Sequence, residues 1–255
     1  MTPQSLLDLT TAMAALSLRP WAGVNTSPAK EKPEQMLMLY EFEGCPFCRL
    51  VREALTELDL SVLILPCPKG GKRFRPEVQA RGGMMQFPYL VDPNTGLEMY
   101  ESMDIIEYLF EAYGGRRPGL AWQFPTPLQV ISAAAVGAVR GGRGINVRPS
   151  REPDDPLELW SFEASPFARP VRERLCEMEI PYILHNAGRA NVQDWALPAI
   201  RKQFFPDYES PIESRRDLKS RTGQVAIPYL FDPNTDEGLF ESQDILDYLK
   251  DTYSA

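Results

Sequence analysis

The sequence predicts an α/β protein made of two tandem copies of one unit joined by a helical linker, and two matched blocks carry that prediction. Tyr40-Glu41-Phe42-Glu43-Gly44-Cys45-Pro46-Phe47-Cys48-Arg49 returns 120 residues on as Trp160-Ser161-Phe162-Glu163-Ala164-Ser165-Pro166-Phe167-Ala168-Arg169. Phe87-Pro88-Tyr89-Leu90-Val91-Asp92-Pro93-Asn94-Thr95 returns 140 residues on as Ile227-Pro228-Tyr229-Leu230-Phe231-Asp232-Pro233-Asn234-Thr235, and Glu101-Ser102 as Glu241-Ser242. The second copy therefore holds about twenty extra residues, placed within 186–222. A period near 120 is too long for a solenoid and means two domains, which a chain of 255 residues accommodates.

The elements follow in one order. Residues 36–42 read as a strand, Arg49 to Leu58 as a helix with Val51, Ala54, Leu55 and Leu58 inward, and Val62 to Leu65 as a short apolar strand. That is a βαβ unit. A helical stretch near 76–81 follows, then strands at Tyr89-Leu90-Val91 and Leu97 to Met99 across the turn sequence Asp92-Pro93-Asn94-Thr95-Gly96. Ser102, as N-cap, opens a closing helix that runs to Gly114. The divisions are 1–35, an N-terminal helical segment; 36–113, the first domain; 114–156, a linker with an apolar helix; and 157–255, the second domain.

Composition narrows the class. A net charge of −8 argues against nucleic-acid binding, which needs a basic footprint. Four cysteines are too few for a disulfide scaffold, and the two-residue gap between Cys45 and Cys48 favours a redox pair over a metal half-site, since only Cys67, Cys176 and His185 remain as further soft ligands. No metal is expected. A reducing compartment such as the cytoplasm fits, although the acid-poor stretch 1–30 is also compatible with organellar targeting. No run reaches the ~18–20 apolar residues of a membrane span.

A CxxC motif at a strand-to-helix junction, then a proline before a β-hairpin and a closing helix, resembles the thioredoxin fold. The Glu-Ser pair at the last helix narrows the resemblance to its glutathione-binding branch. Residues 36–113 are similar to a glutaredoxin or to the N-terminal domain of a glutathione transferase, and Ser165-Pro166-Phe167 resembles the serine-type transferases. The resemblance covers about 36–113 and 157–253 and leaves 1–35 and 114–156 outside it.

On that resemblance, Cys45 at a helix N-terminus is the attacking thiolate, favoured by unpaired amides and the helix dipole, and Cys48 resolves the mixed disulfide. Pro88 and Pro228 are the expected cis-prolines, setting the backbone of Phe87 and Ile227 against an extended peptide such as glutathione. Glu101 and Ser102, with Glu241 and Ser242, would hold its γ-glutamyl end at the helix start. The pattern departs from glutaredoxins at Phe42, where a lysine is usual, and Glu43 is expected to raise the Cys45 pKa. Arg49, Lys72, Arg73, Arg75 and Arg81 are the candidates for restoring positive potential. Cys67, placed by the βαβ topology on the Cys45 edge, is a possible third redox thiol, whereas Cys176 reads as core and His185 as incidental.

The expected function is a glutathione-dependent thiol–disulfide oxidoreductase with glutathione as co-substrate and a disulfide substrate or partner protein. The second domain is a thiol-free copy that binds glutathione through Ser165, Ile227, Pro228, Glu241 and Ser242, or binds a partner. Three alternatives stand beside it: a non-enzymatic glutathione-binding or redox-sensing scaffold, a glutathione transferase-like activity, and an iron–sulfur carrier. The apolar stretch Leu128 to Val139 is expected to be buried between the domains together with an N-terminal helix bearing Leu6, Leu7, Leu9, Met13, Leu16 and Leu18. Arg140, Arg143 and Arg148 would mark its solvent end. A membrane-surface role for the stretch is the rival reading.

Overall fold

The structure, a computed structural model, describes residues 10–14, 22–122, 124, 126–196, 200, 203–205 and 207–255. In the first half β1 (Leu37–Glu41), α1 (Pro46–Leu58) and β2 (Val62–Pro66) form the βαβ unit, with β1 and β2 parallel. Helix α2 (Arg75–Gly82), the antiparallel strands β3 (Tyr89–Asp92) and β4 (Leu97–Met99), and α3 (Ser102–Leu109) complete it. After α4 (Thr126–Val139) the second half repeats the plan as β5 (Leu157–Ser161), α5 (Arg169–Glu177), β6 (Tyr182–Asn186), α6 (Glu213–Thr222), β7 (Tyr229–Asp232), β8 (Glu237–Phe240) and α7 (Ser242–Tyr253).

The repeated Asp-Pro-Asn-Thr block is a hairpin anchor. Asp92 Oδ1 accepts the backbone N–H of Asn94 at 2.8 Å and Oδ2 accepts the Tyr108 hydroxyl at 2.6 Å. Asp232 does the same with Asn234 at 2.9 Å and Tyr248 at 2.8 Å. The matched sequence thus ties each β-turn to its closing helix.

The halves share a single sheet of order β4-β3-β1-β2-β6-β5-β7-β8. Its centre is the antiparallel pair β2–β6, with Leu63 opposite Ile183, Val62 opposite Leu184 and Ile64 opposite Tyr182. Leu63 and Ile183 are equivalent positions of the repeat, so the seam sits on an internal pseudo-twofold axis and each half covers the other's open strand edge. One apolar cluster runs from Leu37, Leu55 and Ile106 to Leu159, Leu175 and Leu249.

Segments assigned to neither domain also repeat. Gly23-Val24-Asn25-Thr26 and Gly144-Ile145-Asn146-Val147 each cross to the opposite half: Thr26 N–H donates to Arg189 at 2.9 Å and Ala164 N–H to Gly23 at 3.0 Å, while Val147 N–H donates to Lys69 at 3.0 Å and Gly44 N–H to Gly144 at 3.1 Å. Both arms need glycine. At φ +71 and +74, a Cβ on Gly23 would lie 2.7 Å from Glu163 Cβ, and one on Gly144 2.8 Å from Glu43 Cβ. The paired offsets Lys69/Arg189 place the extra residues of the second copy after Arg189, where a short 3₁₀ turn at Val192–Trp195 is tied back by the Arg215–Asp194 ion pair at 3.2 Å.

Under the seam lies a buried ionic network made from the repeat itself. Arg49 bonds Glu53 at 2.9 Å and Glu163 at 3.0 Å; Arg52 bonds Glu163 at 2.8 Å and Glu41. In mirror fashion Arg172 bonds Glu43 at 3.0 Å and Glu163 at 3.2 Å, and Arg169 bonds Glu173 at 3.1 Å. At the strand ends the mirror trades a carboxylate for a hydroxyl: where Arg52 meets the carboxylate of Glu41, Arg172 meets the hydroxyl of Ser161 at 2.9 Å.

Helix α4 differs from expectation. It packs on α1 through Gln129, Ala133 and Val136, while Leu128 and Ile131 on its far side are exposed. Because the segment is apolar all round, its composition gave no face, and the 3.6-residue period decided it. Arg140 is not at a solvent end but buried, paired to Glu173 at 2.6 Å. Residues 10–14 are helical, with Ala12 buried and Met13 exposed; Leu6, Leu7, Leu9, Leu16 and Leu18 lie outside the described residues. Among the described residues no helix is long and apolar enough to cross a membrane.

Candidate thiol site

Cys45 is the N-cap of α1, with extended backbone (φ −78, ψ 124) and Pro46 in the first turn. Its sulfur accepts the backbone N–H of Cys48 at 3.3 Å, the bond an N-cap serine would make. The Cys48 thiol bonding to that sulfur lowers the Cys45 pKa against the opposing effect of burial, and the amides of Cys48 and Phe47 and the charge of Arg52 add to the lowering. Cys48 is fully buried, and burial first, then its bond to Cys45, pushes its thiol well up. The surroundings thus favour the thiolate at Cys45 and the protonated thiol at Cys48.

The proline loop closes on this turn. The peptides Phe87–Pro88 and Ile227–Pro228 are both cis, matching the expectation. The Phe42 and Phe87 rings meet edge to face at 6.1 Å, and the Arg75 guanidinium lies 4.9 Å above Phe87. Gln86 donates to the Glu101 carboxylate at 2.6 Å, bringing the start of α3 to the same loop. The N-cap there is Glu101, not Ser102: the backbone turns at Glu101 with φ +66 and the helix begins at Ser102. Glu101 makes no side-chain cap bond, so the first-turn amides have no side-chain cap. The equivalent Glu241 adopts φ +63. A left-handed non-glycine residue costs about 1–2 kcal/mol, and its occurrence at both matched positions marks a constrained turn.

The second half rebuilds this geometry without sulfur. Ser165 Oγ accepts the Ala168 N–H at 3.2 Å, Ile227 packs on the Phe162 cluster, and the Ser242 hydroxyl donates to the Phe167 carbonyl at 2.6 Å. Helix α5 begins only at Arg169, later than α1, since Pro170 has no N–H to bond back toward Pro166.

Several expectations are corrected. Glu43 is no free carboxylate beside Cys45: Arg172 and Arg52 hold it, and the Cys45 pKa goes down. The arginine candidates are engaged by other partners: Arg49 by Glu53 and Glu163, Arg73 by the Met178 and Glu179 carbonyls at 2.8 and 3.0 Å, Arg75 by the Pro68 carbonyl at 2.8 Å, and Arg81 by Glu77 and Glu98 at 3.0 Å, while Lys72 donates its backbone N–H to Glu179 at 3.1 Å. Cys67 is fully buried beside Tyr40, Val78 and Tyr89, and burial drives its thiol pKa far up, which disfavours a redox role. Cys176 is buried, its sulfur 3.4 Å from the Gly144 carbonyl; His185 stacks on Trp160 at 4.3 Å and bonds Glu158 at 2.9 Å. Glu41 was not anticipated as a site residue. Its signal was available, because it is an acid in the thiol-bearing copy that becomes Ser161 in the other. Among the described residues no group of three or more His, Cys, Asp or Glu is arranged to hold a metal.

The two halves, each a βαβ unit followed by a cis-proline hairpin and a closing helix, define tandem domains of the thioredoxin fold. The family model of the glutathione S-transferase N-terminal domain matches residues 39–117 and again 159–255, and the chain belongs to that family. Among solved structures, a glutathione transferase of Bombyx mori is 30% identical over 34% of this chain and 39% of its own, with a TM-score of 0.29. The chain thus spans well under half of that relative's length. No curated protein matches the chain.

Proposed function

We propose that the first half is a glutathione-dependent thiol–disulfide oxidoreductase, and that the second is a copy without thiols at the matched site that binds glutathione or a partner. The observation that carries this reading is the split between two neighbouring sulfurs: Cys45 at a helix start with a lowered pKa, Cys48 three residues on with a raised one. Cys45 attacks a disulfide, the leaving thiolate departs, and either a second glutathione or Cys48 releases the mixed disulfide. The Phe87 backbone, on the loop whose ring meets Phe42 three residues before Cys45, would supply the edge on which an extended thiol peptide pairs, and the amides at the start of α3 suit its carboxylate. In the second half Ser165 is buried and bonded to a backbone amide, which favours a binding or structural role over hydroxyl chemistry.

The test is a glutathione-coupled reductase assay on a small mixed disulfide. Cys45→Ser is expected to abolish turnover, and Cys48→Ser to accumulate a glutathionylated protein visible by mass spectrometry. Iodoacetamide should label Cys45 first. Preferential labelling of Cys48, or full turnover by Cys45→Ser, would sink the assignment. Because the arms cross, binding by the second half is best measured calorimetrically on the full-length Cys45→Ser chain; no heat at millimolar glutathione would leave that half a structural or partner-binding module.

A further inference from the structure

Outside the thiol site, three polar side chains form a continuous chain of hydrogen bonds across the seam. Ser61, the residue before β2, has its hydroxyl 3.2 Å from Nδ1 of His185 on β6, and Nε2 of His185 lies 2.9 Å from Oε2 of Glu158 on β5. The β2–β6 register pairs Val62 with Leu184, so Ser61 and His185 are the next cross-strand neighbours and the sheet itself sets their approach. The imidazole also stacks on buried Trp160, with centroids 4.3 Å and planes 22° apart. Its orientation is therefore fixed. A carboxylate only accepts, and the bond from His185 holds the Glu158 carboxyl below its usual range, so Nε2 donates to Glu158 and Nδ1 of the neutral ring accepts the Ser61 hydroxyl.

An open cavity of about 360 Å³ is lined by Ser61 and His185, both partly exposed, and walled by α6 and by residues between 32 and 36. The repeat does not require this set. At the matched positions of the other half Ser61, His185 and Glu158 are Pro181, Leu65 and Met38, so the bonded chain exists on one side of the pseudo-twofold axis only.

We propose that Ser61, His185 and Glu158 form an esterase-type site that transfers the acyl group of a small uncharged carboxylic ester to water. The proposal is independent of the thiol-exchange reading. Ser61 Oγ attacks the ester carbonyl carbon while its proton passes to His185 Nδ1, and Glu158, as the positioning residue, holds the ring and stabilises the imidazolium. The tetrahedral oxyanion collapses, the bond to the leaving alcohol breaks, and that oxygen takes the proton from His185. Water, giving a proton to the same ring, attacks the acyl-Ser61 ester; the carboxylic acid departs and Ser61 regains its proton. Arg221 uses Nε on Asp217 at 3.1 Å, and its remaining N–H donors bring positive charge to the cavity wall where the oxyanion forms. The wall also carries Glu34, Glu213 and Asp217 against Lys32 and Arg221, which selects against an anionic acyl group. A cavity near the lower end of small-molecule sites sets a short acyl chain.

The experiment uses the full-length chain carrying Cys45→Ser and Cys48→Ala, the pair the second half holds as Ser165 and Ala168, so that thiol acylation is not read as ester hydrolysis. Turnover of p-nitrophenyl acetate is followed, and peptide mass spectrometry locates the adduct left by brief exposure to that ester or to a fluorophosphonate. One acetyl or phosphonyl group is expected on Ser61, and Ser61→Ala should fall to the spontaneous rate. His185→Ala should slow acylation about a hundredfold or more, with partial rescue by added imidazole, and Glu158→Gln about tenfold or more with KM little changed. An unlabelled Ser61 in a chain that melts like the wild type overturns the proposal, as does hydrolysis by Ser61→Ala at the parent rate. Labelling of Ser61 as fast in His185→Ala as in its parent overturns it too. Should His185→Ala fail to fold without its stack on Trp160, Ser61→Ala and the adduct map decide alone.

Discussion

The halves carry the same turns, the same cis-prolines and the same left-handed glutamate before the last helix, yet Cys45, Cys48 and Cys67 face Ser165, Ala168 and Ala187. Glu41 facing Ser161 is the fourth exchange. What survives in the copy that lacks these thiols is therefore instructive. Glu163, Arg169, Arg172 and Glu173 repeat Glu43, Arg49, Arg52 and Glu53 because all of them sit in the ionic seam, where the loss of any one leaves a buried charge unpaired. The second half keeps its signature because the first half rests on it.

The largest effect should come from the seam. Arg52→Met and Arg172→Met are each expected to destabilise the chain by about 3–5 kcal/mol, since each strands buried carboxylates. Arg52→Met should be the milder at low pH, where protonated Glu41 no longer needs a counter-charge. Paired denaturant melts at pH 5 and pH 8 test this; equal losses at both pH values for both variants would break the claimed asymmetry.

Glu41 supplies a smaller, pH-dependent effect. Its folded pKa, about 8, lies above the ordinary carboxylate value of 4.5, so between those limits the folded state holds more protons than the unfolded one and stability falls as pH rises. Glu41→Gln should flatten the stability profile between pH 5 and 8 by about 1–3 kcal/mol relative to wild type. A parallel profile would show that Glu41 is ionised throughout. Ser161, having no proton to lose in this range, predicts no counterpart in the second half.

The smallest change concerns the empty copy. In a Cys45→Ser background, Ser165→Cys places a sulfur where the Ala168 amide already bonds Oγ, so the new thiol should titrate below the free value of about 8.5. Lacking a partner at Ala168 it should stay above native Cys45, whose pKa the Cys48 thiol lowers most. The pH dependence of iodoacetamide alkylation reads both values; a new thiol as acidic as Cys45 would remove Cys48 from the account of that acidity.

Much of this was legible beforehand. Alternating and helical periods, the Asp-Pro-Asn-Thr turns and the matched blocks fixed two βαβ-hairpin-helix units, and the CxxC at a strand-to-helix junction located Cys45, because those signals are local. Glu43 was misread as a bare neighbour of the thiol, since its partner Arg172 is 129 residues away in sequence. The crossing arms were missed for a related reason: Gly23-Val24-Asn25 and Gly144-Ile145-Asn146 are too short to stand out as a repeat until seen bonding to opposite halves. The apolar stretch in α4 named a helix but not its buried face.

By itself the sequence determined the units, their turns and the one copy able to do thiol chemistry, all consequences of residue type acting over a few positions. Only the tertiary structure decided that β2 and β6 join the units into a single sheet, that the repeated charges neutralise one another across the seam, and that Glu41 is left with a buried oxygen unpaired. Those outcomes depend on desolvation and on contacts between residues more than 100 positions apart, which no local pattern records.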